Sequence, residues 1–283
     1  TTGGYLLSFN SIFDSGVLIE LEESIEPIHS MCISKYHLIL GLDDGLMRLY
    51  SLYKLLPRGS GSYSSRSQRQ ALLHDALHCQ TPVSDVSDAE IFHVCMSGDF
   101  SRIIAGAADG SLYCIKLDRY EQPVNDSTDF KNSNLEVNNL VDSHIGTITG
   151  MAHLPVSSDS NLSFSHNLTD KSALLVTCGQ DGSLRCWNYR TNQILVKKQF
   201  ETRFTSLTCA PEGRTVFLGS DTGYLRIVTL ESEDSDDTSL RPHLSYCRRV
   251  RKSPITHMTL GGDNDTLLAM TFEDNHIALM RVN

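Results

Sequence analysis

Residues 174–189, LLVTCGQDGSLRCWNY, decide the fold. Leu174 to Cys178 is a short apolar run, Gln180-Asp181-Gly182-Ser183 is a tight turn, and beyond it Leu184, Cys186 and Asn188 alternate with Arg185, Trp187 and Tyr189. This pattern predicts a strand, a hairpin turn and a second strand. Asp-Gly suits the turn because glycine reaches positive φ without steric cost and Asp can bond its own backbone.

Outward from this stretch the signature recurs, giving six copies with turn positions at Gly4, Gly45, Gly110, Gly182, Gly223 and Asn275. Asparagine can stand in for the last glycine because it tolerates the left-handed region. Gly4 to Gly45 and Gly182 to Gly223 are 41 residues apart, a period that marks a repeat architecture. The longer intervals imply insertions, placed at 53–89, 119–142, 157–171 and 231–243, all rich in Ser, Asp or Asn and expected as loops. A strand is predicted ahead of each hairpin at Ile28–Ile33, Ile91–Met96, Ile148–Leu154, Phe204–Cys209 and Ile255–Leu260. Outer strands carry a weaker pattern, because an edge strand has one wet side; the clearest are Val17–Glu22 and Ile194–Phe200.

These residues resemble the WD-repeat family of β-propellers. In that family a buried hydrogen-bond chain links an Asp in the turn between strands b and c, a His ahead of strand a, a Ser or Thr on strand b and a Trp on strand c. The matching residues are Asp181, His144, Thr177 and Trp187. The resemblance implies an all-β WD-repeat β-propeller of about six visible four-stranded blades with long loop insertions, part of a seven-bladed or longer ring. Residues 1–283 are then one propeller domain or a fragment of one. The first copy supplies only two strands and the last stops at Asn283, so either an insertion hides strands or the rest of the ring lies outside this stretch; the second reading is preferred. The start at Thr1 rather than Met also reads as a stretch of something longer. The motif degenerates elsewhere. Trp187 is the only tryptophan, with Tyr50, Ile115, Ile227 and Met280 near its place in other copies, and the turn Asp shifts to Asp221 in the fifth. Those units are expected to hold together by apolar packing alone.

Composition bounds the function. With 283 residues, 40% of them hydrophobic, the chain can bury a sizeable core. Its net charge of −10 speaks against a basic footprint, so no nucleic-acid partner is expected. No apolar run reaches 18 residues, so any membrane contact is at most peripheral. Eight cysteines without C-x-x-C spacing read as buried free thiols in a reducing compartment. The expected location is the cytoplasm, with cytoskeletal association and the nucleus both left open.

Several stretches are candidates for recognition. The b–c turns at Asp44-Gly45, Asp109-Gly110, Asp181-Gly182, Asp221 to Gly223, and Asp274 would share one face of a propeller. Arg248, Arg249, Arg251 and Lys252 form a basic stretch that could hold an anionic lipid headgroup or a phosphorylated or acidic motif. The preferred alternative is a polar outer strand partly paired with the acidic run Glu231–Asp237, itself either a kinase target or, by preference, a solvated loop. His74, His78 and Cys79 have a spacing zinc can use, but no second ligand pair follows. A short amphipathic helix or an outer strand is preferred there, and neither metal nor cofactor is expected.

Catalytic signatures are missing: the sequence has no G-x-S-x-G, H-E-x-x-H, P-loop or Rossmann glycine pattern. Together with the resemblance, this leads to a non-catalytic expectation. The chain reads as a protein-protein interaction scaffold, a subunit of a larger assembly of cytoskeletal, ciliary or membrane-trafficking type, with other proteins of that assembly as partners. The alternative is a propeller that reads anionic lipid or phosphorylated or acidic motifs through residues 248–252.

Overall fold

The computed structural model describes residues 5–9, 16–20, 27–34, 37–55, 77–82, 89–97, 101–117, 136–140, 142–154, 174–211, 213–232, 240–261 and 266–282. Apart from one helical turn, α1 (Leu52–Leu55), the described elements are strands. The organising stretch forms β12 (Leu174–Gly179) and β13 (Ser183–Asn188), flanked by β11 (Ile148–His153) and β14 (Gln193–Gln199) in the sheet order β11-β12-β13-β14. Consecutive strands pair antiparallel, so each sheet is a meander in which the chain runs from inner edge to outer edge.

Three more four-stranded sheets repeat the arrangement. One holds β3 (Ile28–Ile33), β4 (His37–Leu42), β5 (Leu46–Ser51) and β6 (Leu77–Pro82); another holds β7 (Ile91–Met96), β8 (Arg102–Ala107), β9 (Leu112–Lys116) and β10 (Glu136–Asn139); the third holds β15 (Phe204–Cys209), β16 (Thr215–Ser220), β17 (Tyr224–Ser232) and β18 (Leu240–Arg249). A fifth sheet has three strands, β19 (Ile255–Gly261), β20 (Leu267–Phe272) and β21 (Ile277–Arg281). Among the described residues the count is therefore five blades, which corrects the expectation of about six. The first sequence copy does not make a blade, because its two strands, β1 (Tyr5–Phe9) and β2 (Gly16–Glu20), pair only with each other in a two-stranded sheet.

The insertion bounds also need correction. Strand β6 lies inside 53–89 and β10 inside 119–142, while β17 and β18 both reach into 231–243. Of these, β6, β10 and β18 end their sheets, and β18 is exposed along most of its length, so no alternation marked it out. Segment 157–171 lies outside the described residues, as do 56–76 and 233–239.

The chain packs as two compact units: Thr1–Met96 with Phe100–Ala107 and Ile115–Asn138, and Ser97–Asp99 with Ala108–Cys114 and Asn139–Asn283. In the first, Leu38, Leu40, Leu42 and Tyr50 form a buried cluster with Ile28, Leu46, Leu52 and Leu77 against it. In the second, Val176, Cys178, Leu184 and Cys186 of one blade pack against Phe204, Val216, Leu218 and Val228 of the next. A further cluster joins Phe217 and Leu225 to Ile255, Leu268 and Met270. Strands β12 and β13 are buried at every residue; β12 accordingly runs nearly continuously apolar, whereas β13 buries Ser183, Arg185 and Asn188 as well.

One irregularity recurs in every blade. The first strand carries a register shift after its first residue, at Ile28, Ile91, Ile148, Phe204 and Ile255, a β-bulge that bends the strand and leaves a residue free of the ladder. At that bulge Ser30, Thr149 and Thr205 donate hydroxyl bonds to the carbonyls of Ile91, Phe204 and Ile255 in the following blade, at 3.0, 2.7 and 2.6 Å. Neighbouring sheets are thus tied by polar contacts as well as by apolar area.

Candidate functional site

The b–c turns have one geometry. Gly45, Gly110, Gly182 and Gly223 all take positive φ, and Asn275 takes the same conformation at φ 63°. At Gly223 a side chain would also collide with the Arg251 carbonyl, 1.9 Å from an added Cβ. The Asp ahead of the glycine closes the turn: Asp44, Asp109 and Asp181 accept from the N–H two residues on, in Leu46, Ser111 and Ser183, at 3.0, 2.9 and 2.9 Å. This is the local Asx contact that favours Asp in turns.

Around Asp181 the turn becomes a buried network. Trp187 Nε1–H donates to Thr177 Oγ1 at 2.9 Å, and Thr177 Oγ1 lies 2.8 Å from His144 Nε2. His144 Nδ1 meets both oxygens of Asp181 at 3.0 and 3.1 Å. Trp187, Thr177 and His144 are all buried. A neutral imidazole satisfies every position: the hydroxyl accepts from the indole and donates to Nε2, while Nδ1–H donates to the carboxylate. Burial holds the His144 pKa below its ordinary value, against the opposing pull of Asp181. Burial pushes Asp181 up, but its bond to His144 and the N–H groups of Ser183 and Ile145 outweigh it and keep the carboxyl well below the usual range.

The network extends beyond the four residues that the sequence pattern picks out. Ile145 N–H and Ser183 Oγ–H both donate to Asp181. Arg185, itself buried, donates from Nε to Ser183 Oγ, from Nη2 to Asp181 and from Nη1 to the Asp142 carbonyl. Lys197 then holds the Asp142 carboxylate at 2.7 Å. A signal for Arg185 was present in the sequence, since Arg48, Arg185 and Arg226 all stand third after a turn glycine.

The other candidate residues are placed separately. Asp221 does not take up the contacts of Asp181. Its Oδ1 is buried with no hydrogen-bond partner among the described residues, and Tyr224 N–H is accepted by Ser220 Oγ instead. Asp274 pairs with Arg251 and His276, and the Arg251 bond lowers its pKa. Of the basic stretch, Arg248 and Arg249 belong to β18, with Arg251 and Lys252 beyond it. The expected pairing with the acidic run does not fit the hairpin register, which sets Ser232 opposite Leu240 at one end and Tyr224 opposite Arg249 at the other. His78 and Cys79 lie on β6, an outer strand, and His74 falls outside the described residues. Cys178 and Cys186 are fully buried free thiols, pushed up to about 12 by burial. Among the described residues no group of three or more His, Cys, Asp or Glu side chains could hold a metal ion, and no helix is long and apolar enough to cross a membrane.

Chemically, the Asp181 cluster is a closed arrangement. A triad-like reading of Asp181, His144 and Thr177 would need a nucleophilic hydroxyl open to substrate, and Thr177 is fully buried with both lone-pair and proton positions engaged.

Comparison with known proteins agrees with this geometry. The family model for the WD domain, G-beta repeat, matches residues 137–188, a span that holds His144, Thr177, Asp181 and Trp187. Cilia- and flagella-associated protein 43 of Chlamydomonas reinhardtii is 24% identical over 187 residues, 62% of this chain and 9% of that protein. Cilia- and flagella-associated protein 57 C of Tetrahymena thermophila is 24% identical over 157 residues, 55% of this chain and 11% of that protein. The chain therefore spans about a tenth of the length of these two relatives. Among solved structures, the β-propeller domain of Myceliophteria thermophila Cps50 (Swd1) superposes with a TM-score of 0.67 over 99% of this chain and 78% of its own, at 11% identity. With its repeated turns, its recurrent bulges and one complete Asp-His-Thr-Trp network, the chain has a β-propeller fold and carries a WD repeat over residues 137–188.

Proposed function

We propose that the chain is a non-catalytic protein-protein interaction platform, a propeller module within a larger cilia- or flagella-associated protein of a multi-protein assembly. The observation that carries this is the contrast between a stiff interior and exposed turns. Strands β12 and β13 are buried along their whole length, neighbouring blades are tied by hydroxyl bonds, and the b–c hairpins carry turns of one fixed geometry. Turns held this way lose little conformational freedom when a partner docks, so less of the interaction free energy is spent on ordering. The relatives supply the setting: both are described as cilia- and flagella-associated, which supports a cytoskeletal or ciliary location.

The test is purification of the tagged full-length protein from ciliated cells, with crosslinking and mass spectrometry. The expected result is one stable set of axonemal or cytoskeletal proteins crosslinked to the b–c turns and outer strands. Recovery of the protein alone, or crosslinks confined to segments outside this chain, would sink the platform reading.

A further inference from the structure

Arg185 and Arg226 occupy the same position on the third strand of neighbouring blades, facing Thr177 and Leu218 of the second strand. Both are buried, Arg226 at 9% exposure. Arg185 is fully answered by Asp181, Ser183 and Asp142. Arg226 is not. Its Nη1 is buried with no hydrogen-bond partner among the described residues, and its guanidinium is instead ringed by Tyr224, Phe200 and Phe204 at 5.6, 5.8 and 5.9 Å from the ring centroids. Cation–π attraction offsets part of the desolvation, but a buried guanidinium without acceptors remains costly.

The acids that serve Arg185 are replaced around Arg226. His144 and Phe200 are equivalent, since their N–H groups donate to the turn glycines Gly110 and Gly182 of the preceding blades. Two residues earlier, Asp142 corresponds to Lys198, which is exposed. Asp181 corresponds to Thr222, each lying just before its turn glycine. A second cation, the exposed Arg249, is paired with Tyr224 across the β17–β18 hairpin; its guanidinium lies 5.7 Å from the Tyr224 ring centroid and donates from Nε to the Thr222 carbonyl. Two guanidinium groups thus share one ring, a lysine stands where an aspartate would be, and none of the three forms a salt bridge with a carboxylate among the described residues. In a chain of net charge −10, this is a local cationic site that lacks its anion.

We propose that Arg226, with Arg249 beside the same Tyr224 ring, binds a carboxylate side chain from an acidic segment of a partner protein. The planar guanidinium matches a carboxylate with two parallel N–H···O bonds, and the surrounding rings exclude water from them. Strand β18 ends its sheet, so its outward backbone groups offer an extended segment a lane beside the site. The chain's own acidic run begins at Glu231, five residues along β17 from Arg226 and roughly 17 Å away at strand rise. The assignment rests on the platform reading and gives it a contact chemistry.

The experiment is a titration of the full chain with a fluorescent octaglutamate peptide, with octaglutamine and phosphatidylserine vesicles as the other arms. Octaglutamate is expected to bind and octaglutamine not. Arg226→Met is expected to weaken binding by about tenfold or more while the protein stays folded. Should that variant fail to fold, Arg249→Glu, at an exposed position, tests the same site and is expected to weaken binding similarly. Equal binding of octaglutamate and octaglutamine, unchanged octaglutamate affinity in Arg226→Met or Arg249→Glu, or capture by vesicles without peptide binding would each overturn the assignment. Failure of the platform reading shows in the crosslinking experiment and leaves this titration untouched, so the two are told apart.

Discussion

The blade β11–β14 and the blade β15–β18 have the same strand order, the same bulge and the same turn, and are held by different chemistry. In the first, the turn carboxylate of Asp181 gathers donors from His144, Ile145, Ser183 and Arg185. In the second, Phe200 stands in the place of His144, Leu218 in that of Thr177 and Val228 in that of Trp187; Phe200 packs edge-on against Phe204 with ring centroids 5.3 Å apart. The comparison teaches that the backbone meander is specified by turn chemistry and apolar burial, and that the polar network is an addition to it. Asp181→Ala tests this most severely. It strips a buried arginine and histidine of their shared acceptor and is expected to cost about 3–5 kcal/mol, measured by urea unfolding. Thr222→Ala, the matching change in the neighbouring blade, is expected to stay within about 0.5 kcal/mol. Comparable losses in both would break the distinction.

Next in size is Trp187→Phe. The ring volume is largely kept, but Thr177 Oγ1 loses the indole donor, and a cost of about 1–3 kcal/mol is expected in thermal unfolding. An unchanged transition would mean that the Thr177–His144 pair is indifferent to its third member.

What the sequence revealed follows the same divide. The hairpin around Gly182, the strands beginning at Ile28, Ile91, Phe204 and Ile255, and the role of Asn275 were legible because each depends on local pattern: period-two or continuous apolar runs, and a residue that accepts positive φ. The four network residues were legible only through family resemblance, since His144 and Asp181 are far apart in the chain and periodicity is silent about their meeting. Outer strand β18 was hidden by its exposure along most of its length. Arg185 was missed because an arginine at an alternating position reads as solvent-facing; it is instead buried with its guanidinium answered by Asp181, Ser183 and the carbonyl of the distant Asp142. Blade count needed pairing information, because β1 and β2 look like any other hairpin until their partners are known.

Acid should separate the two blades further. His144 is held neutral, with its pKa below the unfolded value, and Asp181 is held ionised, with its pKa below the unfolded value. In both cases the unfolded state takes up protons first as pH falls, so stability drops with acidification. The loss begins below about pH 6.5 through His144 and steepens below about pH 4 through Asp181. The expected observation is a melting temperature that declines as pH falls from about 6.5 to about 3, with the upper part of that decline flattened in His144→Gln. A decline of the same shape in His144→Gln would assign the titration to other groups.

The smallest expected change is the most discriminating. Arg185→Met removes a guanidinium that donates to two side chains and a carbonyl, leaving Asp181 and Ser183 short of a buried donor, so it should destabilise by about 1–3 kcal/mol. Arg226→Met, at the same strand position one blade on, removes a buried charge that has no acceptor and puts a thioether among Phe200, Phe204 and Tyr224. Sulfur–aromatic contacts replace the cation–π ones, and the desolvation of an unanswered cation disappears. Unfolding by urea should therefore shift by less than about 1 kcal/mol, toward greater stability. An arginine kept at such a position does little for folding, and its retention in this blade makes physical sense if the charge serves an anion that arrives from outside. A large loss in Arg226→Met would instead place Arg226 in the structural role that Arg185 fills, and the two blades would then differ in sequence but not in design.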